Sequence, residues 1–121
     1  MKNNAHVLVV DDDPGVLKFV EIGLTLAGYA VTTTTDGGGV LNLIRTKEPD
    51  IVLLDIFMVP IGGFEILDQI RTLSKVPVIV FTAQTFISDR AMELGSNGFI
   101  AKPFRPEALV KKIEGVLADK K

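Results

Sequence analysis

No cysteine occurs in the chain, which excludes disulfides, thiol catalysis and cysteine-ligated zinc and leaves the compartment to be judged on other grounds. Long apolar runs are missing too. The longest, such as Val76 to Phe81, is interrupted by Pro77 and falls far short of the roughly 20 residues a membrane span needs. Met1 to His6 is a polar lead-in followed by only four apolar residues, too few for the apolar region of a signal peptide. A soluble, cytoplasmic protein with no membrane association is therefore the default expectation. Nor is there a charge excess: 13 bases against 15 acids give a net charge of −2, which is no footprint for direct nucleic-acid binding. Internal repeats, linkers and low-complexity tracts are absent as well.

What is there is an ordinary globular composition, 47% hydrophobic and 23% charged, in 121 residues expected to form one domain spanning 1–121. Scaling laws for a chain of this size predict about 6,400 Å² of accessible surface when folded against about 19,000 Å² unfolded, enough burial for a core without staples. The small net charge hides an uneven distribution. Residues 102 to 121 carry six bases and three acids, a local +3, so the first 101 residues sum to −5. Three of those acids are adjacent, at Asp11, Asp12 and Asp13.

Short runs rich in β-branched residues recur at Val7–Val10, Ile51–Leu54 and Val78–Phe81, with weaker strand candidates at Ala30–Thr34 and Gly98–Ala101. Helical spacing fills the intervals. Leu17, Val20, Leu24 and Ala27 share one face of a helix that Pro14 opens and Gly28 closes. Leu41 and Ile44 mark a second helix, Phe64, Leu67 and Ile70 a third, and Ala91 and Leu94 a short fourth. Leu109, Ile113, Val116 and Leu117 mark a fifth, opened by Pro106. Alternating strands and helices imply right-handed crossovers and a parallel sheet. Strands 1, 3 and 4 are apolar on both faces, as interior parallel strands must be, whereas Thr32, Thr33 and Thr34 suit an edge. The expected fold is thus α/β, a flavodoxin-like doubly wound five-stranded parallel sheet of order 2-1-3-4-5 with five helices.

In that topology ligands bind at the carboxyl ends of the strands. Strand 1 runs into Asp11, Asp12 and Asp13, strand 3 ends at Asp55, strand 4 at Thr82 and strand 5 at Lys102. Two unit charges about 4 Å apart repel by about 4 kcal/mol at an effective dielectric of 20, so clustered carboxylates call for more positive charge than one lysine supplies. An all-oxygen donor set with no histidine or cysteine nearby points to a hard divalent ion such as Mg²⁺. Taken singly, aspartates after a strand are ordinary turn and cap residues. Asp55 is different: four apolar residues flank it on either side, and a carboxylate so embedded is costly unless paired or metal-bound. His6, solitary and ahead of the first strand, is expected at the surface. Gly37, Gly38 and Gly39 have neither dinucleotide-fingerprint spacing nor a P-loop lysine and read as a turn or weak helix start.

Four segments together resemble the receiver domain of two-component response regulators, chemotaxis regulators included, along the whole chain. They are Val7-Leu-Val-Val-Asp-Asp-Asp-Pro14, Asp50-Ile-Val-Leu-Leu-Asp55 followed by Gly63-Phe-Glu65, Val78-Ile-Val-Phe-Thr-Ala83, and Gly98-Phe-Ile-Ala-Lys-Pro-Phe104. The resemblance implies a signalling domain rather than an enzyme in its own right. It also implies that Asp55 takes a phosphoryl group from a sensor histidine kinase or phosphotransfer protein, and that Asp11, Asp12, Asp55 and the Phe57 carbonyl bind Mg²⁺. Thr82 and Lys102 would contact the phosphoryl group, Phe99 would be the aromatic switch, and Lys102–Pro103 a cis peptide. Partners would be that donor and a downstream effector, with homodimerisation through the fourth and fifth helices left open.

Three features depart from the family pattern. Proline stands at Pro60, with Val59 where the family usually has it; Thr82 and Lys102 are about two residues closer than usual, the deficit falling between Ala83 and Arg90; and Phe99 has no hydroxyl. Two alternatives stay open on the residues alone. One is a Mg²⁺-dependent haloacid dehalogenase-like phosphatase using Asp11 and Asp13, which would leave Asp55 without a role. The other is a pseudo-receiver that keeps the fold without phosphorylation.

Overall fold

Residues alternating along each interior strand go to opposite sides of one sheet, and that alternation builds two cores. In the computed structural model, which describes residues 5–56, 62–83 and 88–119, the strands are β1 (His6–Val10), β2 (Ala30–Thr34), β3 (Ile51–Asp55), β4 (Val78–Thr82) and β5 (Gly98–Ala101). Every pairing is parallel and the order is β2-β1-β3-β4-β5, as expected. The helices are α1 (Pro14–Leu26), α2 (Val40–Lys47), α3 (Gly63–Leu73), α4 (Ser88–Glu93) and α5 (Pro106–Asp119).

Leu8, Val10, Val52, Leu54, Val78 and Val80 face one layer, where Val40 and Ile44 of α2, Ile66, Leu67 and Ile70 of α3 and Ala91 of α4 cover them. Val7, Val9, Ile51, Leu53, Ile79 and Phe81 face the other, under Leu17, Val20 and Leu24 of α1 and Leu109, Ile113 and Val116 of α5. Because both sides of β1, β3 and β4 are covered, their side chains are uniformly apolar rather than alternating with polar ones. The edge strand β2 stays partly exposed, which its threonines tolerate. Accessible surface totals 6428 Å², matching the scaling expectation.

The helix boundaries follow from local chemistry. Asp13 caps α1, its Oδ1 accepting from the Gly15 amide at 2.8 Å, and Pro14 opens the first turn. Beyond α1 the chain turns through Gly28 at φ 99°, a left-handed conformation that favours glycine. Gly37–Gly39 form a single 3₁₀ turn, capped by Asp36, that leads into α2. Leu94 falls one residue past α4, and Leu117 is only partly buried on α5.

Histidine 6 is a correction. The first strand begins at His6, one residue earlier than the apolar run suggests, because His6 pairs with Ala30 of β2. Its ring Nε2 lies 2.7 Å from Thr32 Oγ1 and its amide donates to Asp50 Oδ2 at 2.7 Å, so the residue is half-buried rather than a surface one.

At the amino-terminal end of the sheet, Arg71 ties three segments together without a carboxylate. Its Nε donates to Gly95 O at 2.9 Å, Nη1 to Val76 O at 2.8 Å and Ser74 O at 3.3 Å, and Nη2 to Asn97 Oδ1 at 2.9 Å. Burial pushes the guanidinium pKa down from its ordinary value. Asn97 Oδ1 also accepts from the Val78 amide at 2.9 Å, while Asn97 N donates to Val78 O, so the β4–β5 register is fastened at this end.

Candidate functional site

Parallel register brings the four strand ends together. Asp55 pairs with Phe81 and Thr82 with Ala101, so Thr82 stands one residue beyond the cross-strand partner of Asp55 and beside the end of β5. The Lys102 amide donates to Thr82 O at 2.8 Å, extending that ladder one step. On the other flank the Asp11 amide donates to Thr34 O at 3.2 Å, which carries the β1–β2 ladder into the acidic loop. Asp11, Asp55 and Thr82 are all buried, at 1%, 4% and 2% exposure, while Asp12 is exposed.

The carboxylates of Asp11, Asp12 and Asp55 each offer an oxygen within 4.8 Å of the others. Lys102 reaches in from β5: its Nζ is 2.8 Å from Asp11 Oδ2 and 3.7 Å from Asp55 Oδ1, and 4.9 Å from the centre of the Phe81 ring. The ammonium is thus held by a buried carboxylate on one side and an aromatic face on another. Asp11 uses its second oxygen, Oδ1, to accept from the Asp13 amide at 2.9 Å, which fixes the turn. Three formal negative charges and one positive leave the cluster at −2, matched by one divalent cation. An all-oxygen set of this charge fits a hard ion such as Mg²⁺.

Asp13 does not join this group. Its carboxylate is engaged at the α1 N-terminus, so an Asp11/Asp13 acid pair has its second member occupied as a helix cap. Replacing it should act on stability: Asp13→Ala is expected to cost about 1 kcal/mol in a denaturant melt. An unchanged denaturant midpoint would mean that the Asp13–Gly15 cap is not needed to hold α1.

Phe57, Val59 and Pro60 lie outside the described residues, as do positions 84–87, which cover most of the segment between Ala83 and Arg90. Lys102–Pro103 is cis, as the family pattern implies. Phe99, half-buried on β5 opposite Val80, packs against the layer that holds α3 and Ala91 of α4.

Two residues of the receiver-like segments have contacts at the site that sequence reasoning did not assign to them. Gly63, the first residue of α3, packs directly under the end of β3: its amide donates to Ile56 O at 2.8 Å, and a β-carbon there would meet the Asp55 carbonyl oxygen. The signal was a glycine at a helix start eight positions past the acidic strand end, meaningful only once close approach is known. Phe81 is the other. It reads as one more core residue, yet its ring carries the Lys102 ammonium and stacks edge-on with Phe104, centroids 5.9 Å apart.

Comparison with known proteins bears on the family and the fold. Residues 7–114 match the family described as response regulator receiver domain. Among relatives, a probable transcriptional regulator, ycf27 of Guillardia theta, is 39% identical over 119 residues, covering 97% of this chain and 47% of that protein. The transcriptional regulatory protein KdpE of Mycobacterium tuberculosis is 34% identical over 113 residues, covering 92% of this chain and 50% of that one. The chain spans about half the length of these relatives. A crystal structure of a putative response regulator from Chloroflexus aurantiacus superposes with a TM-score of 0.90 at 31% identity, covering 95% of this chain and 98% of that one. The chemotaxis response regulator CheY4 of Vibrio cholerae gives 0.87 at 31% identity, with 93% and 98% covered.

Proposed function

This chain belongs to the response regulator receiver domain family, and on that footing we propose that it accepts a phosphoryl group on Asp55 from a histidine kinase or phosphotransfer protein. The observation that carries the reading is the buried Asp55 carboxylate, set among Asp11, Asp12 and Lys102 at the strand ends. In the step, an Asp55 oxygen attacks phosphorus and the phosphorus–nitrogen bond of the donor breaks. The electron pair leaves on the donor nitrogen, which is protonated there or by solvent, and an acyl phosphate results.

Each residue of the chain has a share in that transfer. Asp11, Asp12 and Asp55 would hold Mg²⁺, with the Phe57 carbonyl as the further protein ligand that the family pattern adds. When bound, the ion supplies charge neutralisation for the phosphoryl oxygens. Lys102 stands near enough to Asp55 to pair with the incoming phosphoryl oxygens, and its ion pair with Asp11 keeps the ammonium aimed there beforehand. Thr82 would donate its hydroxyl to the phosphoryl group, a movement that draws β4 inward and lets Phe99 repack toward the space vacated. Phosphorylation replaces one negative charge with nearly two and adds acceptor oxygens, enough to bias such a rearrangement. Phe99 cannot export the change through a hydroxyl, so the altered surface is one of shape. The output passes to a protein effector; several relatives of about twice this length are named transcriptional regulators. The domain itself binds no nucleic acid directly and works in the cytoplasm, in keeping with the lack, among the described residues, of any helix long and apolar enough to cross a membrane.

Phosphoryl uptake from phosphoramidate, present in the wild type and absent in Asp55→Asn, is the test; equal uptake by both would overturn the assignment. The ion site has its own. Mg²⁺ at tenfold over its dissociation constant should stabilise the fold by about 1.4 kcal/mol, read as a rise in melting temperature. A melt indifferent to millimolar Mg²⁺ would remove the ion from the scheme.

A further inference from the structure

The side of the sheet that carries the acidic cluster also carries an aromatic ring. Phe81 is the cross-strand partner of Asp55, and in a parallel pair such partners point to the same side. That side is the layer covered by α1 and α5, where Phe81 is fully buried. β5 contributes Ile100 to the same layer. Lys102, two residues further along, reaches back over the Phe81 ring, with Nζ 4.9 Å from the centroid. Phe104 completes the group, packed edge-on to Phe81 with centroids 5.9 Å apart.

A lysine ammonium sits on a long flexible stem, so aiming it costs conformational entropy unless something holds it. Two kinds of group hold Lys102, and they differ in what else they do. Asp11 takes Nζ on Oδ2 at 2.8 Å and the Asp13 amide on Oδ1, and it belongs to the carboxylate cluster that fits a divalent ion. Its hold on Lys102 therefore weakens when its charge is shared with an ion. The Phe81 face ligates nothing and lies within the core, so its attraction for the ammonium is the same with or without the ion. Only 23% of the Lys102 side chain is exposed, and a partly desolvated ammonium gains more from a ring face than one in open water. An aliphatic side chain would fill the space but has no negative face to offer.

We propose that Phe81 is a positioning residue for phosphoryl uptake: its ring face keeps the Lys102 ammonium beside Asp55, 3.7 Å away, while Asp11 is engaged with the ion. The proposal rests on Asp55 being the acceptor. A phenyl ring has no group to bond a phosphoryl oxygen, so Phe81 acts through Lys102.

Replacing Phe81 in the full chain by mono-, di- and trifluorinated phenylalanine tests it, since each fluorine drains the ring face of negative charge with little change of shape. The rate of uptake from phosphoramidate at saturating Mg²⁺ is expected to fall stepwise, by about fivefold at the trifluorinated ring. The denaturant midpoint and the Mg²⁺ dissociation constant should stay almost unmoved along the series. Phe81→Leu, which keeps the side chain apolar and discards the ring, should slow uptake at least as much. A loss in Phe81→Leu alongside a flat fluorine series would make Phe81 a packing residue and overturn the proposal. So would a midpoint that falls in step with the rate, or equal rates in every chain. A wild type without uptake fails earlier, at the Asp55 assignment, and takes this proposal with it.

Discussion

Incubated with phosphoramidate and Mg²⁺, the wild-type chain is expected to gain one phosphoryl group, and Asp55→Asn none, by intact-mass spectrometry. The substitution keeps the shape of the side chain and removes the nucleophilic oxygen and one of three clustered negative charges. Loss of uptake therefore reports on chemistry and not on collapse of the site. Relief of repulsion predicts that the variant is at least as stable as the wild type, since carboxylates a few ångströms apart repel by several kcal/mol in a low-dielectric setting. A melting curve separates the two explanations. Labelling that survives in Asp55→Asn and disappears in Asp11→Asn would move the acceptor to Asp11 and revive the phosphatase alternative. Labelling of neither wild type nor variant would favour a receiver that keeps the fold without phosphorylation.

The second large effect is expected at Gly63. A β-carbon at this position would fall against the Asp55 carbonyl oxygen and 2.5 Å from Ile56 Cα. Both neighbours are backbone at the end of a fully buried strand, so neither can swing aside as a flexible side chain would. Gly63→Ala should then destabilise the fold toward the upper end of the about 1–3 kcal/mol typical of overpacking, seen as a lower denaturant midpoint. It should also weaken the Mg²⁺-dependent rise in melting temperature, because any relief displaces the main chain that carries Asp55. An unchanged midpoint would mean that α3 can slide away from β3 and that the close approach is not required.

Where the sequence was legible, burial had left a strong local imprint. Strands β1, β3 and β4 are covered on both faces, and Val7–Val10, Ile51–Leu54 and Val78–Phe81 accordingly read as unbroken β-branched or aromatic runs. Asp55 was conspicuous for the same reason, as a charge in an apolar run. Asp11, Asp12, Thr82 and Lys102 gained meaning only from topology, since each alone is an unremarkable turn or strand-end residue. Contacts between side chains distant in the chain left no such imprint. The His6–Thr32 hydrogen bond spans 26 residues, and the partners of Arg71 lie up to 26 residues away. Nothing in the local composition around either residue announces them. Gly63 stood out as part of a receiver-like segment, but its role did not, because a glycine required by a close approach looks the same as one that merely starts a helix. The proline shift at Pro60 and the shortened segment after Ala83 were plain in the sequence, but their effect on the loop near Phe57 lies outside the described residues.

The Arg71 knot at the far end of the sheet bears on how a signal would leave the molecule. Because Gly95, Asn97, Val76 and Val78 are fastened there to one guanidinium and one amide, β4 and β5 share a fixed hinge plate. Thr82 stands at the opposite end, where the Lys102 amide donates to its carbonyl oxygen and the Lys102 ammonium pairs with Asp11. A pull on Thr82 would therefore be expected to tilt the carboxyl-end rim of the β4–β5 pair while the Arg71 end holds its register, so that a partner would read a change of angle rather than a shift of the whole sheet.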